Sequence, residues 1–241
     1  MKREESVQRY NNLSRMINCF ICFAGFLFTI YGNLDIDHNM PFNIVWWISP
    51  KKFFFITNST LLLSTIAFAM SGFTYGVSAR YKSKVIASHI LACALSAEVL
   101  ICLIFWPIFW SNPNLVFPLA SLEGPQRISL FCNLCMHALP SVFLFATYAL
   151  DPRINPPSYN GLLLYIAYIT VLSAAFYQIN GYWRYKVLKV LPKPALFALP
   201  IVLFFAGCFT VRCMYFAKLK VRRSKMFEKL TKIASFNSVL V

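Results

Sequence analysis

Charge is what this chain has least of. Only 13% of its 241 residues are Asp, Glu, Lys or Arg, and just eight are acidic. Soluble domains carry roughly 25% charged and about 45–50% apolar residues. Here 59% are hydrophobic, and the mean hydropathy is +0.60. Disordered, collagenous and secreted disulfide-scaffold classes are excluded by that balance. Acid is so scarce that the formal charge reaches +15, from 23 basic residues against eight. Such an excess can signal nucleic-acid binding, but these basic residues lie between apolar runs and in the two tails. That distribution sets orientation in a membrane and builds no phosphate-tracking face, so no nucleic-acid partner is expected.

What is abundant is apolar sequence of bilayer length. One span of ~30 Å of hydrocarbon takes about 20 residues at 1.5 Å each. Runs and breakers predict an all-α, polytopic bundle of six transmembrane helices in one membrane domain covering 1–241. The helices fall roughly at 13–30, 53–73, 86–110, 128–150, 161–179 and 195–215, with a basic tail over 216–241. The first run has a basic flank (Lys2, Arg3, Arg9, Arg15), but no small-x-small site follows Thr29-Ile30-Tyr31-Gly32. It is expected to stay as an anchor. With the N-terminus inside, sixteen basic residues fall on the cytosolic side and seven on the other, which predicts cytosolic termini. Trp46, Trp47, Trp106, Trp110 and Trp183 then all fall at the opposite interface. The segment 218–232 reads either as an amphipathic helix on anionic lipid or as a solvated tail.

All eight cysteines lie inside the expected spans. Cys19-x-x-Cys22 and Cys132-x-x-Cys135, with His137 nearby, resemble zinc half-sites. Thiols buried in hydrocarbon behave as small apolar residues, so no metal or other cofactor is expected. Arg80-Tyr81-Lys82 recurs as Arg184-Tyr185-Lys186 on the opposite side, a faint echo of an inverted repeat.

Ionisable groups within spans are costly, and each is a functional candidate. His89 lies near a membrane edge, whereas Glu98 and His137 lie deeper. The fourth span carries Ser129, Asn133, His137 and Ser141 at steps of four, with Pro140 placed to kink it. The second carries Thr57, Thr60 and Ser64 on one face. That face alone reads as a packing seam, since small polar residues join membrane helices. Glu98 is expected to be a neutral acid donating one hydrogen bond to a neighbouring helix. Counted from the span ends, Thr57 is about 6 Å deep, Asn133 about 8 Å and His137 about 14 Å. A hydroxyl, an amide and an imidazole near one level suit acyl transfer. The imidazole takes the hydroxyl proton and returns it to the leaving oxygen, and the amide orients the ring or serves the oxyanion.

Phe55-Ile56-Thr57-Asn58 and Asn133-Leu134-Cys135-Met136-His137 resemble segments of the family of androgen-induced protein and androgen-dependent tissue-factor-pathway-inhibitor-regulating protein. Ile104-Phe105-Trp106 and Ile179-Asn180-Gly181-Tyr182-Trp183-Arg184-Tyr185 resemble two further signatures, in the same order from about residue 52 to 190. The resemblance implies six helices with cytosolic termini. It also implies an intramembrane hydrolase that cleaves fatty-acid esters of hydroxy fatty acids, its substrate a lipid within the bilayer. On this chain the nucleophile falls on Thr57 and the base on His137, with Asn133 and Trp183 expected to bind or orient substrate. The endoplasmic reticulum is the expected membrane. Two positions depart from the pattern: Lys186 stands where the family has Pro, and Glu98 where it has a small apolar residue. The competing expectation is a non-enzymatic membrane protein, either a scaffold or a small transporter relaying protons through Glu98 and His137.

Overall fold

The computed structural model describes residues 2–34, 56–77, 81–116, 129–151, 159–183 and 185–223. Among them there is no strand. The helices are α1 (Lys2–Leu34), α2 (Ile56–Gly76), α3 (Tyr81–Ser111), α4 (Leu130–His137), α5 (Leu139–Leu150), α6 (Asn160–Asn180), α7 (Lys186–Val190) and α8 (Lys193–Arg223). A short 3₁₀ turn, Pro113–Leu115, follows α3. Six stretches are long and apolar enough to cross a bilayer: Asn12–Asn33, Ile56–Gly76, Lys82–Ser111, Leu130–Leu150, Asn160–Asn180 and Lys193–Val221. These are the six expected spans, with ends displaced by a few residues. Trp46 and Trp47, and the tail beyond 223, lie outside the described residues. Six crossings bring the chain back to the face it started from, here termed the terminal face; the other is the far face.

α1 and α2 run antiparallel as the most extensive helix pair. Cys19 Sγ reaches the Gly72 carbonyl at 3.7 Å, and the Thr65 hydroxyl donates to Thr29 Oγ1 at 3.0 Å. Between these ties, Gly25 lies against the Phe68 ring so closely that a β-carbon would come within 2.4 Å of it. Small residues let membrane helices approach in this way, where no hydrophobic effect draws them together. The core joins α1, α2, α3 and α5 through Cys22, Phe68, Tyr75, Leu91, Leu95, Leu144 and Tyr148. α6 and α8 pack on its outside. They display Leu164 (72% exposed) and Phe197 (82%). Such exposure would be costly in water and costs nothing against lipid.

The fourth span is interrupted rather than bent. α4 stops at His137, Ala138 takes φ −137 and ψ −55, and α5 restarts with Pro140 in its first turn. Proline supplies no backbone N–H and its ring crowds the carbonyl four residues earlier, so the helix ladder cannot pass through this point. The expected stripe is therefore split. Ser129 caps α4 by accepting from the Cys132 N–H at 3.0 Å, Ser141 donates to the Ala138 carbonyl on α5, and only Asn133 and His137 share a face of α4.

The last helix overruns the expected 195–215. α8 passes through Pro200 and continues to Arg223. Lys218, expected on a lipid surface or in a solvated tail, is instead 1% exposed. Its ammonium sits 4.4 Å from the Tyr148 ring centroid, a cation–π contact that holds α8 against α5. All eight cysteines are free thiols.

Candidate active site

The site is built where α2, α3 and α4 meet near the far face. Ser64 faces α3, since its Oγ lies 2.7 Å from Glu98 Oε1. Leu61 faces α4, where it packs with Cys132 and Met136. At about 100° per residue, Thr57 falls between these two directions, 20° from Ser64 and 40° from Leu61. Helix periodicity therefore puts Thr57 on the face of α2 between the directions of α3 and α4. Glu98 and Phe105 stand seven residues apart on α3, as Ser64 and Thr57 do on α2. With the helices antiparallel, both pairs climb about 10 Å toward the far face, which brings Thr57 and Phe105 to a common level.

Phe105 leads to the imidazole. Its ring stacks on His137, with centroids 3.5 Å apart and planes 9° apart. The adjacent Trp106 donates its indole N–H to the His137 carbonyl at 3.3 Å, serving an oxygen beside the break in the fourth span. The two aromatic residues thus fix both the ring and the backbone of His137, which is 3% exposed. Followed through α1, where Gly32 lies against the Cys135 backbone, His137 comes out one to two turns deeper, nearer Ser64. Asn133 sits one turn above His137 on the same face; it is 4% exposed, and its Oδ1 has no hydrogen-bond partner among the described residues. No hydrogen bond links Thr57 to His137, or Asn133 to His137, among those residues. Trp183 is placed elsewhere, stacked on Tyr177 at 4.5 Å just beyond the left-handed Gly181 (φ 72) that ends α6.

The three hydroxyls of α2 are not equivalent. Thr60 Oγ1 donates to the Ile56 carbonyl at 2.8 Å and also meets the Tyr165 hydroxyl of α6. Ser64 Oγ lies 2.9 Å from the Thr60 carbonyl as well as near Glu98. Each hydroxyl has one proton to give. Ser64 Oγ is placed to donate to Glu98 Oε1 as well, and in the Thr60–Tyr165 contact either hydroxyl can be the donor. Glu98 is 1% exposed and is bonded across helices as expected, although the geometry has Ser64 as the donor. Thr57, half-buried, makes no such bond among the described residues.

Sequence reasoning attached no role to Phe105, Tyr165 or Tyr185. Tyr185 lies beyond α6, yet its hydroxyl accepts from the Ile56 N–H at 2.9 Å, at the residue preceding Thr57. Its only signal was its place in the Gly-x-Trp-x-Tyr segment.

Comparison with curated proteins returns no match, and neither does comparison with solved structures. A family profile described as FAR-17a/AIG1-like protein matches residues 14–222. That span holds all six membrane helices and every residue of the cleft, and the chain belongs to the FAR-17a/AIG1-like family.

Proposed function

We propose that the protein is an intramembrane hydrolase of lipid esters, such as fatty-acid esters of hydroxy fatty acids, with Thr57 as nucleophile and His137 as base. The observation that carries this reading is the unequal state of the α2 hydroxyls. Thr60 and Ser64 are engaged across helices, whereas Thr57 makes no hydrogen bond among the described residues and lies, by helix periodicity, on the face of α2 between the directions of α3 and α4. Thr57 Oγ attacks the ester carbonyl while His137 removes its proton, then delivers that proton to the departing alkoxide. Water cleaves the acyl-threonine by the reverse relay, and its proton returns to Thr57 through His137. Asn133, one turn above the imidazole, is within the same cleft to orient the ring or the attacking water. The low charge of the surroundings suits a substrate that arrives from the bilayer.

A fluorophosphonate probe tests this directly, because only an activated hydroxyl attacks phosphorus. Labelling mapped to Thr57, together with hydrolysis of branched lipid esters by the purified protein, is expected. Absence of both would overturn the reading in favour of a transporter or scaffold.

A further inference from the structure

We propose that Tyr165, Tyr185 and Glu98 are positioning residues, which clamp one edge of α2 so that the Thr57 hydroxyl is held toward His137; this rests on the hydrolase reading above. Ile56, Thr60 and Ser64 recur every four residues and form that edge. Each is engaged by a polar group from a distant part of the chain. The Tyr185 hydroxyl takes the Ile56 N–H, the Tyr165 hydroxyl meets Thr60 Oγ1, and the Glu98 carboxyl meets Ser64 Oγ. Thr60 and Ser64 already have i−4 carbonyls within reach at 2.8 and 2.9 Å, which is how such residues are ordinarily satisfied within a membrane helix. Tyr165 and Glu98 are therefore not needed to satisfy those two hydroxyls, whereas Tyr185 takes an N–H that the helix itself leaves open. A carboxyl is costly to bury in a membrane span, and Glu98 is 1% exposed. What the arrangement of these three groups achieves is to fix the rotation of α2 about its axis.

Rotation is the quantity that matters at Thr57. The first N–H groups of a helix have no partner within it, so its first turn is where it frays. Thr57 lies in that turn, directly after a residue held at both its backbone groups: Tyr185 accepts from the Ile56 N–H and Thr60 donates to the Ile56 carbonyl. A nucleophile displaced by about 1 Å loses about a hundredfold in rate. A packing seam would need no such fixation, and a nucleophile does.

The test uses the full-length protein in lipid vesicles and reads two quantities, steady-state hydrolysis and amide hydrogen exchange over residues 56–60. Tyr165→Phe and Tyr185→Phe each remove only an oxygen. Each should lower kcat by about tenfold or more, leave KM within about twofold, and speed exchange at 56–60 by about tenfold, with exchange in α3 unchanged. Glu98→Gln keeps an acceptor for Ser64 and should match the parent, whereas Glu98→Leu should behave like the tyrosine variants. Thr60→Val breaks the Tyr165 contact from the other side and replaces any variant that fails to insert. Unchanged exchange at 56–60 in both tyrosine variants would eliminate the clamp, whatever the activity. Faster exchange with parental kcat would eliminate its positioning role. A Thr57→Ala protein that still hydrolyses esters would instead refute the hydrolase reading, and the positioning of Thr57 with it.

Discussion

Thr57 and His137 are conspicuous as single residues because hydrocarbon tolerates few polar side chains, and those it does contain stand out from an apolar run. Asn133 was legible in the same way. The aromatic members of the site were not. At 17% of the chain, Phe, Trp and Tyr offer no contrast, and Tyr165 and Tyr185 meet their partners 105 and 129 positions away. Trp183 was singled out by its motif, and its ring stacks on Tyr177. The chemistry assigned to the pair predicts non-additive losses. Thr57→Ala and His137→Ala should each lower ester hydrolysis by about a thousandfold, and the double variant should be scarcely worse than either. Hydrolysis by folded, membrane-inserted protein is the measurement. Losses that multiply in the double variant would mean the two residues act separately.

At the scale of elements, hydropathy alone located the six spans, since ~20 apolar residues in a row admit few alternatives. It did not reveal that the fourth is two helices. Proline bends some membrane helices and breaks others, and the difference lies in whether neighbours satisfy the exposed carbonyls. Here Trp106 serves the His137 carbonyl. Pro140→Ala should let α4 and α5 join and re-aim the imidazole. We expect activity to fall by about tenfold while stability in detergent changes by less than about 1 kcal/mol. Unchanged turnover would show that the break has no part in the site. The seam between α1 and α2 makes a separate prediction. A β-carbon at position 25 would meet the Phe68 ring at 2.4 Å, so that ring, 1% exposed, must shift within its packing to admit one. Gly25→Ala should therefore destabilise the protein by about 1–3 kcal/mol in a denaturation experiment.

For the whole molecule, the sixteen-to-seven division of basic residues predicts that both termini face the cytosol. Epitope tags at either end should remain hidden from antibody until the membrane bounding the cytosol is permeabilised. A tag accessible on intact membranes would invert the topology and put the cleft near the cytosolic surface. The length of the last helix was not legible, because Lys218 reads as the start of a tail until its ammonium is seen over the Tyr148 ring. The placement of α6 and α8 outside the core also bears on biosynthesis. A ribosome delivers the chain from its N-terminus, so α1 to α5 can pack together before α6 exists. The two phenols that engage α2 come from α6 and the segment beyond it. A nascent chain of four spans therefore has its bundle but not its finished cleft, and synthesis itself withholds the complete site until the fifth span and the residues after it have emerged.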